Sequence, residues 1–157
     1  METVEWIQSG ILLATVVGLF FSLRYNRKQL QAYNKNLKLN FFADYTKRYQ
    51  EIILNFPESI NRSDFDFDQL EENVRNKTMR YMRAYFDLCS EEYDLKRAGY
   101  IEDSIWDNWK LGIEFAFSKR AFRDAWGIIK LDTIYYPEFS SWIERIVTEK
   151  NRINNTR

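Results

Sequence analysis

The sequence predicts an all-α protein: an N-terminal transmembrane helix over residues 1–23 that continues into a cytosolic helical bundle over residues 24–157. Three observations carry this expectation. An uncharged, mainly apolar run extends from Trp6 to Leu23. Beyond it, apolar residues recur at spacings of three, four and seven, which is the period of one helix face. Glycine and proline are scarce, 5 and 2 in 157 residues, whereas an all-β chain uses both in its turns.

Composition narrows the chemistry further. Apolar residues at 45% and aromatics at 17% exclude a disordered chain. Lys+Arg and Asp+Glu are 23 each, so the formal net charge is zero. The single cysteine, Cys89, excludes an intramolecular disulfide and a cysteine-cluster metal site. Histidine is absent, which removes Ser/His and Cys/His pairs, imidazole acid–base chemistry and imidazole-ligated metal. No metal or cofactor is expected, and the chain reads as a protein that is not an enzyme.

The first element is the membrane span. The eighteen residues from Trp6 to Leu23, at 1.5 Å each, come to about 27 Å, close to a hydrocarbon core of ~30 Å. A cleaved signal peptide needs a basic leading region, and Glu2 and Glu5 stand there instead. Arg24, Arg27 and Lys28 follow the span, with Lys35 and Lys38 behind them, and no Lys or Arg precedes it. The positive-inside rule then puts the N-terminus outside and the remainder in the cytoplasm, where Cys89 stays reduced.

Two stripes run along the span. Gly10, Ala14, Gly18 and Ser22 recur every four residues, a spacing that lets helix backbones approach and that predicts self-association. Gln8, Thr15 and Ser22 recur every seven and form a polar edge beside the first stripe, a candidate pore lining. Leu13, Val16 and Phe20 fall on the opposite side, suited to lipid.

No Gly or Pro interrupts Leu19 to Phe56. Leu23, Leu30 and Leu37, then Tyr33, Phe41, Tyr45, Tyr49, Ile52 and Phe56, continue one face, which predicts a helix of about 50 residues with a weak point at Asn34–Asn36. The basic stretch from Arg24 to Arg48 is interleaved with Tyr25, Tyr33, Phe41 and Phe42. Juxtamembrane cations that set topology and touch anionic lipid are the simpler reading. Direct RNA binding through phosphate contacts and stacking is a second, and contact with the acidic Asp64–Asp68 loop of a neighbouring subunit is a third.

That acidic loop, Asp64-Phe-Asp66-Phe-Asp68, has the opening spacing of a calcium loop but lacks its glycine and its closing glutamate. Asp68 with Glu71 reads as a capping box for a second helix from about Gln69 to Ala98, closed by Gly99. Its apolar arc is wide: Val74, Thr78, Tyr81, Tyr85 and Leu88 on one side, Met79, Met82, Phe86, Cys89 and Tyr93 on the next. Such an arc predicts packing on two sides. A third helix is expected over 102–117 with Ile105, Trp109, Ile113 and Ala116 inward. A short fourth carries Phe122, Trp126 and Ile129. A fifth is opened by Pro137, with Phe139, Trp142, Ile143, Ile146 and Val147 on its inner face.

The last of these helices ends in Lys150-Asn-Arg152-Ile-Asn-Asn-Thr-Arg157. Together with the N-out span and the aromatic helix NFFADYTKRYQEI, this plan resembles the small membrane accessory proteins of type VI-B CRISPR loci, which encode an RNA-guided RNase. The resemblance covers the architecture of nearly the whole chain and implies a divergent HEPN-like helical domain. It also implies a ring-like homo-oligomer in the bacterial inner membrane, with a pore that depolarises the cell and so enhances the effector, its functional partner. HEPN ribonucleases use an arginine and a histidine a few residues apart, the histidine acting as base and the arginine holding the phosphate. Here Arg152 fits the arginine, and Arg157 fills the histidine position. Arginine is no general base near neutral pH, and this departure counts against catalysis. A membrane-tethered ribonuclease and a non-conducting membrane scaffold are the alternatives to a pore.

Overall fold

A computed structural model describes the backbone of residues 2–154 and the side chains of Trp6 and residues 10–152. The described chain is helical, with no strand among the described residues. Five α-helices follow in order: α1 Glu2–Ile53, α2 Glu72–Arg97, α3 Asp103–Ala116, α4 Arg120–Ile129 and α5 Pro137–Asn154. Two short 3-10 turns, Glu58–Asn61 and Phe67–Gln69, join α1 to α2. The chain forms two compact units, Met1–Lys47 and Arg48–Arg157.

The first unit is helix α1 up to its last turns. The helix passes Asn34–Asn36 without a break. Each asparagine costs only about 0.7 kcal/mol against alanine, too little to open a helix flanked on both sides by good formers. From Ile11 to Leu23 the large apolar side chains are exposed all round, among them Leu12, Leu13, Val17, Phe20 and Phe21. Among the described residues, no helix is long and apolar enough to cross a membrane. The described uncharged run, Gly10 to Leu23, has 14 residues, about 21 Å of helix against a ~30 Å core. The side chains of residues 7–9, which belong to the run in the sequence, lie outside the described ones. The transmembrane helix expected over residues 1–23 thus has no support from the described structure.

The second unit is built around α2, which packs against α3, α4 and α5. This accounts for its wide apolar arc: Met82, Tyr85, Phe86, Leu88 and Cys89 are all buried. The core is aromatic. Phe86 stacks on Phe117 at 5.5 Å and meets the edge of Trp126 at 5.3 Å, while Tyr85 meets Phe122 at 5.2 Å. Edge and offset contacts of this kind add to the burial of the rings. Trp126 is fully buried, and its indole N–H donates to Glu144 Oε1 at 2.8 Å, which ties α4 to α5. A second cluster, Tyr93, Trp106 and Trp142, joins α2, α3 and α5.

Helix ends follow local chemistry. Pro57 forces the preceding residue out of the α region, and α1 stops at Ile53, with the Asn55 side chain donating to the Glu51 carbonyl at 2.8 Å. Helix α2 starts at Glu72, three residues later than the capping-box spacing predicts. Asp66, in extended conformation, accepts the Asp68 amide at 3.0 Å and caps the 3-10 turn Phe67–Gln69 in its place. At its other end Gly99 has φ +80°. Its N–H reaches the Lys96 carbonyl and that of Tyr100 reaches Leu95, both at 3.0 Å, the Schellman pattern expected of glycine there. Pro137 opens α5 as its fixed φ suits.

Candidate functional site

Five groups of residues stand out in the sequence, and the two units keep them in different settings. On α1, Gly10, Ala14, Gly18 and Ser22 are exposed along the helix. A Cβ added at Gly10 or Gly18 meets nothing within 4 Å, so no part of the described chain packs on this face. The polar edge is less complete. The Gln8 side chain lies outside the described residues. The Thr15 hydroxyl donates to the Ile11 carbonyl at 2.8 Å, one turn back on the same helix. This bond satisfies the hydroxyl's donor within its own helix. Arg24, Arg27 and Lys28 are exposed at the end of the uncharged run.

Near the C-terminus, Arg152 lies in the last turn of α5, where a cation complements the negative end of the helix. It borders an open groove with Glu144, Arg145, Thr148 and Glu149, all on α5 itself. Arg157 lies outside the described residues, so the Arg152/Arg157 pair is not brought together in the described structure. The acidic loop is engaged locally: Asp64 pairs with Arg62 at 2.9 Å, Asp68 pairs with Arg75 at 3.1 Å, and Asp66 takes a backbone amide. Among the described residues, no group of His, Cys, Asp and Glu side chains could hold a metal ion.

The structure also assembles a polar cluster that sequence reading missed. Glu92, in the C-terminal part of α2, is buried beside Tyr49 from the last turns of α1 and Tyr85 and Cys89 of its own helix. Burial pushes its carboxyl up to about 8. The Arg48 charge pulls against that rise, and the Glu91 charge adds to it. Burial likewise raises the Cys89 thiol and the Tyr85 hydroxyl well above their ordinary ranges, with Glu92 adding to both. Arg48 is meanwhile held by Glu91 at 2.7 Å. A buried neutral thiol is a poor nucleophile. The set places ionisable side chains within the aromatic core. A glutamate among aromatic residues gives no sequence signal, because its neighbour Tyr49 arrives from α1, distant in the sequence.

Compared with known proteins, the chain matches no family model, no curated protein and no solved structure. The resemblance to CRISPR accessory proteins therefore rests on the sequence pattern alone.

Proposed function

We propose that this chain is an oligomeric membrane protein of bacterial antiviral defence, seated in the inner membrane by the N-terminal part of α1. In this reading the chain spans the membrane with its N-terminus periplasmic and its helical bundle cytoplasmic. Its copies form a ring around a pore, and the pore's depolarising action assists an RNA-guided RNase. One observation supports the membrane seat above all. Between Ile11 and Leu23 the large apolar side chains are uncovered, with Leu12, Leu13 and Phe21 each more than 60% exposed. A helix of that kind is at rest only in an apolar medium or against other helices. The sequence prolongs the uncharged run upstream to Trp6. The open Gly10/Ala14/Gly18/Ser22 face supports the assembly, since small residues let neighbouring spans approach closely.

The defence role and the pore come from the resemblance, as does the HEPN-like character of the bundle. In this reading the protein is not an enzyme, because no histidine exists to act as a base beside Arg152.

The test has two stages. Membranes from expressing cells, washed with alkaline carbonate, are expected to retain the chain, and release into the wash overturns the membrane seat. Native mass in mild detergent is expected at a multiple of the protomer, and a monomer overturns the ring. An assembled chain that carries no current in planar bilayers, with or without the activated effector, replaces the pore by a membrane-anchored scaffold.

A further inference from the structure

The second unit contains an open cavity of about 450 Å³ where the turn after the first 3-10 helix faces the α3–α4 junction. Four of its lining side chains are cationic, Arg62, Lys119, Arg120 and Arg123. The others are Asn61, Ser63 and Ser118, and no acidic residue lines it. The four cations come from two stretches distant in sequence, so only folding brings them together.

Their charges are incompletely matched. Arg62 is held by Asp64 through two hydrogen bonds of 3.0 and 2.9 Å, and Arg120 by Asp124 at 3.1 Å. Both pairs are exposed, where an ion pair is worth little and its carboxylate exchanges readily for another anion. Among the described residues, Lys119 and Arg123 form no ion pair. The Arg123 guanidinium is positioned by two backbone carbonyls, Phe117 at 3.0 Å and Ser118 at 2.7 Å. Lys119 stands over the Phe115 ring at 4.4 Å. Four like charges therefore converge with two carboxylates to offset them.

The backbone adds to the imbalance. Lys119 is the N-cap of α4, makes no side-chain cap, and is followed by no acidic residue in the first turn. Helix starts favour Ser, Thr, Asp or Asn at that position and acids just after it, because the first amides lack partners and carry partial positive charge. A lysine and an arginine there break a local rule, and such breaks concentrate at functional sites.

We propose that this cavity binds a compact phosphoryl anion, of the size and charge of pyrophosphate or of a phosphomonoester headgroup. Arginine forks match phosphoryl oxygens two at a time, and Lys119 supplies a point charge. Ser63 offers a hydroxyl, whereas the Ser118 hydroxyl donates to the Phe115 carbonyl at 2.6 Å. The lining has no aromatic or aliphatic wall on which a nucleobase could stack, so a nucleoside is not the recognised part. The volume exceeds the need of a single phosphate and accommodates two linked phosphoryl groups.

The experiment titrates the full chain in mild detergent with sodium pyrophosphate, and separately with dihexanoyl phosphatidic acid kept monomeric, by calorimetry. Saturable binding of either is expected. Pyrophosphate alone assigns the site to a free anion, and phosphatidic acid alone assigns it to a lipid headgroup. Lys119→Gln with Arg120→Gln is expected to weaken binding at least tenfold at unchanged helicity and melting temperature. Lys77→Gln with Arg80→Gln on α2, outside the cavity, removes the same charge and is expected to leave binding within twofold. Arg62→Gln, in a turn on the opposite wall, gives the same tenfold readout if the double variant loses its fold. No saturable binding of either probe overturns the site. So does binding by Arg62→Gln and the Lys119/Arg120 double variant as tight as that of the parent.

Discussion

Glu92 couples the second unit to pH. Its carboxyl titrates at about 8 in the fold, against 4.5 in the open chain. Between those values the folded chain keeps a proton that the unfolded chain has released. Stability is therefore greatest at the acidic end of this window, falls as pH rises through it, and levels off above about pH 8. The full effect is on the order of a few kcal/mol. Asp103 and Asp132, held below the ordinary carboxylate range by Lys96 and Arg83, act only at more acidic pH. Urea unfolding at pH 5, 6.5 and 8 is expected to show this decline, and Glu92→Gln is expected to flatten it and to be the more stable form at pH 8. A parallel decline in the variant would assign the slope to other groups. At this scale the sequence was only partly legible. Tyr85 and Cys89 sit on neighbouring helical apolar faces that periodicity finds. Glu92 lies three residues beyond Cys89 on the same side, and a charged type at that position reads as solvated until Tyr49 covers it.

At the scale of the element, most of the fold was readable because ends and faces carry explicit signals. Pro137 opens α5, Gly99 closes α2, and the absence of Gly and Pro from Leu19 to Phe56 gives one long α1. The capping-box spacing puts the start of α2 three residues early because two aspartates compete for the cap, and Asp66 takes the Asp68 amide. The 3-10 turns left no periodic trace, since three or four residues are too few to repeat. Gly99 supplies the element-scale prediction. Its φ of +80° is one that side-chain-bearing residues avoid, although a Cβ there meets nothing within 4 Å. Gly99→Ala is expected to destabilise the second unit by about 1–2 kcal/mol through backbone strain alone. The check is the urea midpoint at constant slope. An unchanged midpoint would mean that the Schellman end relaxes without loss.

For the whole molecule, the open small-residue face sets the expectation. Gly18→Leu has free space within the chain, so the protomer should fold as before. If copies meet through Gly10, Ala14, Gly18 and Ser22, the added bulk lies where two backbones approach, and native mass in detergent is expected to shift toward smaller species. An unchanged mass would move the seam elsewhere. The basic cavity belongs to this scale too. Arg62 and Arg123 are far apart in sequence, and neither forms part of a local motif, so no reading along the chain could have joined them.

Cys89 has a practical consequence. It is the single cysteine of the chain, fully buried, with its thiol held neutral by its surroundings. The native protein is thus silent toward membrane-impermeant maleimides and needs no cysteine-free background. A probe introduced by Ser22→Cys or Ser118→Cys would be the only reactive thiol in the folded molecule. Labelling from one side of a sealed vesicle would then report which compartment each position faces, and sudden labelling of Cys89 itself would mark the opening of the core.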